Sequence, residues 1–281
     1  MSGFFENRAV LITGGSGAIG GEVARRLAAE GARLVLSARR EDRLDELAEE
    51  IGATGAARPT VLVADLGHRG EAAGLAARAV EAVGPIDVLI NNAGASVQGL
   101  TWIVGDRDEA REVLETNLWS PLALVAALSP AMVERGDGVV VNVGSMARVA
   151  PFPHLGQYAA SRAALASVTE VMRMELGPRG VRVVELALGP VDTPSSRENR
   201  VLAGADRWLE GRPGVGEVAP AADAVVAAAR SGEGVVAHPR MLRWPHRFPG
   251  LGRHYAMRMA KNADVTDETV RFGGREVAAP R

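Results

Sequence analysis

Short, almost wholly apolar runs recur along the first two thirds of the chain, each separated from the next by a longer amphipathic stretch. They are RAVLIT (8–13), RLVLSA (33–38), TVLVAD (60–65), DVLINN (87–92), GVVVNVG (138–144) and VRVVELAL (181–188). Such runs suit strands covered on both faces, as in a parallel sheet, because a half-exposed strand would alternate apolar with polar. The stretches between them read as helices. GEVARRLAAEG puts Val23 and Leu27 on one face and stops at Gly31, while EDRLDELAEEIG spaces Leu44, Leu47 and Ile51 at helical steps before Gly52. Segments 70–83, 107–128 and 157–176 complete the alternation. Strand–helix repetition with right-handed crossovers predicts a doubly wound parallel α/β sheet. With 281 residues, the expected organisation is one domain over 1–239 and a C-terminal basic, aromatic extension over 240–281.

The first strand runs into LITGGSGAIGGEV (11–23), a glycine-rich turn that opens the first helix. There the backbone comes close to a pyrophosphate, whose charge meets the positive helix N-terminus, which points to a Rossmann-type dinucleotide fold. A P-loop reading fails because Gly21 stands where its lysine belongs. Dinucleotide folds often place an acid about 20 residues further on, against the adenosine ribose. This chain instead has SARRED, with Arg39 and Arg40 after the second run. A guanidinium grips a 2′-phosphate that a carboxylate would repel, so NADP(H) is favoured, with NAD(H) possible. The plainer alternative has these arginines simply opening a solvated helix.

In QYAASRAAL (157–165), Tyr158 and Arg162 are four residues apart and share a helix face. Either they form a surface stacking pair, or the fixed cation serves the phenol. Other chemistries are poorly supplied. The net charge of −2 gives no basic field for nucleic acid, and no cysteine is present. Histidines at 68, 154, 238, 246 and 254 lack metal-ligand spacing, so no metal is expected; His154, between Ser145 and Tyr158, is expected in an exposed loop, with a place lining the substrate pocket as the other reading. VGSMA around Ser145 is not a nucleophile elbow. The start of the chain lacks the pattern of a signal peptide, and no uninterrupted apolar run reaches the roughly 18–20 residues of a membrane span, so a cytoplasmic location is expected.

Taken together, the ordered motifs resemble the short-chain dehydrogenase/reductase family from about residue 6 to 194. TGGSGAIG (13–20) is similar to the family's TGxxxGxG, with Ala18 for the middle glycine, and implies cofactor contacts from Gly14, Ser16, Gly17, Ala18, Ile19 and Gly20. VADL resembles the segment whose acid contacts adenine, implying Asp65 and Leu66. NNAG (91–94) implies Asn92, Ala93 and Gly94 behind the cofactor. LGPVDT (188–193) resembles the PGxxxT segment at the nicotinamide, with Leu188 for proline, and implies Gly189, Val191 and Thr193. Asn117 in TNLWSP, Ser145 and Tyr158 match the family's active-site residues, with Ser145 thirteen residues before Tyr158. The resemblance implies hydride transfer between nicotinamide and a carbonyl, Tyr158 as acid/base and Ser145 polarising the oxygen. A free phenol keeps its proton to about pH 10, hence the value of a neighbouring cation.

The family motif is YxxxK, and here Arg162 replaces the lysine, contacting the cofactor ribose. Arginine keeps the charge but cannot pass on a proton. A working carbonyl/alcohol oxidoreductase is expected; the alternative is a catalytically silent binding or scaffold protein on the same fold. The resemblance also implies a homodimer or homotetramer through 107–128 and 157–176. Loops 95–105, 147–156 and 194–215 are expected to select a small-molecule carbonyl or alcohol, an uncharged one by their composition. The tail 239–261 interleaves arginines with aromatics; it reads as a cap or subunit contact, with membrane-surface contact as the other reading, and Pro245 and Pro249 argue against one continuous helix.

Overall fold

The computed structural model describes residues 3–194, 196–197, 215–232, 234–261, 263 and 265–277. The six anticipated strands form as β1 (Ala9–Thr13), β2 (Arg33–Ala38), β3 (Thr60–Val63), β4 (Val88–Asn91), β6 (Gly138–Ser145) and β7 (Val181–Leu188). A further strand, β8 (Val235–His238), joins them. All pair in parallel, in the order β3-β2-β1-β4-β6-β7-β8.

Helices α1 (Ala18–Ala29), α2 (Glu41–Ala53), α3 (Glu71–Val83), α4 (Thr101–Val104), α5 (Asp108–Leu114), α6 (Ser120–Arg135), α7 (Gly156–Leu176) and α8 (Val218–Ser231) surround the sheet. Strand alternation divides the core. Val10 and Ile12 face Val23, Leu27, Leu44 and Val225, whereas Leu11 and Leu89 face Leu75, Leu124 and Met132. Each fully buried leucine or valine contributes about 1.5–3 kcal/mol relative to exposure, which is why nearly every strand position is apolar.

Some boundaries differ from expectation. Gly31, at φ +80°, follows α1 as anticipated, but α2 continues through Gly52 to Ala53, and the chain turns at Gly55, at φ +90°. The 107–128 segment is longer and less regular: α5 and α6 are joined by a π turn over Glu115–Trp119, and α6 passes Pro130 to stop before Gly136, at φ +65°.

The tail forms α9 (Arg243–Arg247) and α10 (Pro249–Ala260), broken at Phe248 before Pro249. It also holds strands not anticipated: β9 (Val270–Phe272) and β10 (Arg275–Val277) pair antiparallel, and β9 pairs with the short β5 (Val97–Gln98). Strands this short leave no periodicity to read. Their connecting glycines, Gly273 and Gly274, have φ of +56° and +76°, the two successive left-handed residues of a tight hairpin. Most of loop 194–215 lies outside the described residues.

Candidate active site

In the strand order, β1 lies between β2 and β4, so the chain crosses to opposite sides of the sheet from this point. The carboxyl ends of β1 and β4 therefore splay their following loops apart and leave a crevice, the usual ligand position in such sheets. The glycine turn and NNAG follow these two ends. Thr13 Oγ1 accepts the N–H groups of Asn92 and Ala93, each at 3.1 Å, while Asn92 Nδ2 donates to the carbonyls of Thr13 and Gly14 at 3.0 and 3.3 Å. These bonds clamp the two loops together. Asn91 Nδ2 donates to Asn142 Oδ1 on β6 at 2.8 Å, and Asn142 Nδ2 donates to Thr169 Oγ1 on α7 at 2.9 Å.

The turn is built for close backbone approach. Gly14 has φ +69°, and a Cβ on Gly20 would sit 2.3 Å from the Gly14 carbonyl oxygen. Gly17 precedes α1 with no side chain capping the helix, so the first N–H groups are free for an anion. A cavity of about 230 Å³ opens beside it, lined by Gly15, Ser16, Gly17 and Ala18 and, on its far side, by Arg25 and Arg43 paired with Glu50 and Glu46. The residues present thus fit a dinucleotide. Gly20→Ala is expected to lower the thermal midpoint, by overpacking of roughly 1–3 kcal/mol, and to weaken dinucleotide binding, both measurable by fluorescence.

On α7, Tyr158 and Arg162 do share a face: the guanidinium carbon lies 5.3 Å from the phenol ring centroid. This is no surface pair, since Arg162 is 7% exposed. Nη1 donates to the Val143 carbonyl on β6 at 3.1 Å. Nη2 lies 2.2 Å from where a Cβ on Gly94 would stand, so NNAG ends in glycine to admit the guanidinium. Arg162 Nε is buried without a hydrogen-bond partner. A buried orphan donor beside the crevice suits a ligand hydroxyl or water.

Asn117 sits in the π turn, fully buried. It exchanges two bonds with the Ala95 backbone, at 2.8 and 2.9 Å, and donates to Ser161 Oγ at 3.0 Å. Ser161 in turn donates to the Tyr158 carbonyl at 2.8 Å. Thus Asn117 couples the loop following NNAG to the helix bearing Tyr158, a task for which the local widening of a π turn shifts the side-chain register.

Ser145 ends β6 and accepts the Ala147 N–H at 3.1 Å, opening the short helix Met146–Arg148. Behind it, Arg148 Nε lies 2.8 Å from Glu185 Oε1 on β7, whose side chain is 1% exposed. Burial holds the Glu185 carboxyl above the usual carboxylate range, opposed by Arg148. Gly189, Val191 and Thr193 continue from β7 at this same end of the sheet; Val191 bridges to Gly216. His154, expected in an exposed loop, is instead buried, at φ +67°, because the loop folds onto Gly99, whose N–H bonds the His154 carbonyl.

At the opposite end of the crevice the two arginines separate. Arg40 donates to the Ser16 carbonyl at 3.4 Å, over the glycine turn, while Arg39 lies 3.6 Å from Glu112 of α5. Asp65 accepts the Gly67 N–H at 3.0 Å, and Leu66 is buried, its carbonyl held by Ser120 at 2.8 Å. Burial and the nearby Asp65 push the Glu112 carboxyl upward. The sequence reading missed Glu112, Ser161, Arg148 and Glu185. Ser161 alone carried a local signal, lying between Tyr158 and Arg162; the others meet only through tertiary packing.

Comparison with known proteins accords with this arrangement. A family model described as short chain dehydrogenase matches residues 8–201. The bovine dehydrogenase/reductase SDR family member 7B is 35% identical over 213 residues, which are 74% of this chain and 65% of that protein. The match thus spans just under two thirds of that relative's length. Among solved structures, a short-chain dehydrogenase from Sphingobium yanoikuyae in complex with NADPH aligns with a TM-score of 0.73 at 29% identity, covering 92% of this chain and 99% of that one. The bulky-bulky ketone specific alcohol dehydrogenase from Comamonas testosteroni aligns with a TM-score of 0.73 at 26% identity, covering 90% and 94%.

Proposed function

This chain belongs to the short-chain dehydrogenase/reductase family, and on that premise we propose that it is an NADP(H)-dependent oxidoreductase interconverting a ketone or aldehyde with an alcohol. The observation that carries the reading is the buried Arg162 guanidinium held between Val143 and Gly94 with Tyr158 over it. A decayed site has no reason to retain a buried cation, which costs several kcal/mol unless it serves a partner.

In this reading Gly14, Ser16, Gly17, Ala18, Ile19 and Gly20 hold the pyrophosphate end of the cofactor. Asp65 and Leu66 flank the adenine, and Asn92, Ala93, Gly94, Gly189, Val191 and Thr193 enclose the nicotinamide end. The cofactor supplies or accepts the hydride. Tyr158 gives its phenolic proton to the substrate oxygen in reduction and takes it back in oxidation. Ser145 donates a hydrogen bond to that oxygen and polarises the carbonyl. Arg162 supplies a fixed positive charge beside the phenol and bonds to the cofactor ribose, while Asn117 holds α7 in place. Residues 1–239 carry this machinery and 240–281 form an added cap. Exposed Trp119, Val171 and Met174 on the helices at 107–135 and 156–176 support assembly as a homodimer or homotetramer through those faces.

The preference for NADP(H) is supported by Arg39 and Arg40, and the Sphingobium neighbour is a complex with NADPH. Arg39→Gln with Arg40→Gln is expected to raise KM for NADPH at least tenfold, because charge-assisted bonds contribute roughly 1.5–3 kcal/mol each, with little change for NADH. Equal effects on both cofactors would count against the assignment. The decisive test is purified protein, NADPH and a panel of uncharged ketones and aldehydes, followed by loss of NADPH absorbance. Cofactor binding without turnover on any carbonyl would favour the silent-scaffold alternative.

A further inference from the structure

We propose that the outer face of the 240–248 segment is a docking surface for a bilayer containing anionic phospholipid, an interaction independent of the oxidoreductase reading. A cavity of about 500 Å³ opens on this face, lined by Arg240, Arg243 and Arg247, by Trp244 and Phe248, and by Val235 and Ala237 of β8. Trp244 stacks on Phe248 with ring centroids 5.9 Å apart, yet Trp244 is 70% exposed and Phe248 47%. Neighbouring Met241 is 59% exposed. Among the described residues no carboxylate pairs with the three arginines. The sequence explains why: no Asp or Glu occurs from 234 to 263, a stretch with six lysines and arginines, in a chain whose net charge is −2.

The opposite side of the same segment is anchored. Leu242 packs on Met146, Val149 and Ala187, and Gly252 seats against Pro245 and the Val149 carbonyl. One face therefore meets the apolar wall behind Ser145, and the other presents cations around exposed aromatic rings. Guanidinium groups bind phosphate through paired N–H donors. Tryptophan and phenylalanine settle at the boundary between headgroups and acyl chains. An anionic phospholipid surface supplies both partners at once, the phosphates to the arginines and the acyl boundary to the rings. A soluble phosphate would satisfy only the first.

The test uses the full chain with vesicles of phosphatidylcholine alone or mixed with phosphatidylglycerol. Sedimentation with the mixed vesicles at low salt is expected, with release at high salt and a blue shift of tryptophan emission. Arg240→Gln with Arg243→Gln and Arg247→Gln is expected to weaken partitioning roughly 100-fold, from about fivefold per cation at an anionic surface. Trp244→Ala with Phe248→Ala should weaken it at least tenfold and remove the blue shift. Unchanged thermal unfolding and NADPH binding would certify that the variants fold. The proposal fails if mixed vesicles do not bind the protein, if phosphatidylcholine alone binds equally, or if the arginine variant binds undiminished. It fails equally if inorganic phosphate at millimolar concentration displaces the vesicles. Light scattering that shows an oligomer dissociated by the arginine variant, without vesicle binding, would assign the face to a second copy and overturn it.

Discussion

Tyr158→Phe is expected to lower kcat/KM for carbonyl reduction by about a thousandfold, within the range that positioned acid/base groups supply, while leaving NADPH affinity within a factor of two or so. The ring survives this change and so does its contact with the guanidinium, 5.3 Å from the ring centroid; only the transferable proton is lost. Arg162→Met is expected to cost roughly 100-fold, because it removes the charge beside the phenol, empties the contact with Val143 and leaves that carbonyl unpaired. Arg162→Lys separates the two functional readings. If Arg162 supports catalysis electrostatically, lysine preserves the charge and activity stays within about tenfold of the parent. If the parent is silent and turnover appears only with lysine, the arginine is an inactivating replacement. Steady-state rates measured alongside cofactor titration decide between them.

The second large effect concerns stability. Arg148→Ala is expected to destabilise the fold by roughly 3–5 kcal/mol near neutral pH, because the buried Glu185 carboxylate loses the stronger of the two cations acting on it, Arg148 and Arg173. Glu185 is 1% exposed and Arg148 lies 2.8 Å away, so solvent cannot replace the lost partner. Removing both groups, by Arg148→Ala with Glu185→Ala, should recover much of that loss. The pH dependence has a definite sign. Burial raises the Glu185 carboxyl above its unfolded value, with Arg148 acting in the opposite direction. Its contribution is therefore fully present below the ordinary carboxylate range and is lost as pH rises through the raised native value. Arg148→Ala should accordingly cost less in acid than at neutral pH, and Glu185→Gln should gain on the parent as pH rises. Urea unfolding across that range checks both; a cost of Arg148→Ala that does not vary with pH would remove the buried carboxylate from the explanation.

Much of the molecule was legible in the chain because its signals are local. The runs at 33–38 and 181–188 became strands with those very bounds, since double-sided burial demands continuous apolar sequence and leaves a readable block. The glycine turn was readable for a similar reason, as Gly14 and Gly20 occupy space that no side chain could share. Short elements escaped. The strand at 235–238 and the hairpin at 270–277 owe their existence to neighbours already in place, β7 in one case and the 97–98 strand in the other. The burial of His154 was misread because a loop folding back onto Gly99 is a long-range event.

The sequence by itself determined the doubly wound sheet and the placing of Tyr158 and Arg162 on one helix face, because both follow from periodicity within a single element. It also set the acid-free run at 234–263. Only the tertiary structure decided what the guanidinium does. Whether Arg162 stacks in solvent or lies buried depends on Val143 and Gly94, which come from other strands and loops. The same holds for Arg148 and Glu185, 37 residues apart in the chain and joined through the neighbouring strands β6 and β7. Interactions within one turn are written in residue order. Interactions across the sheet appear only once the strands have paired.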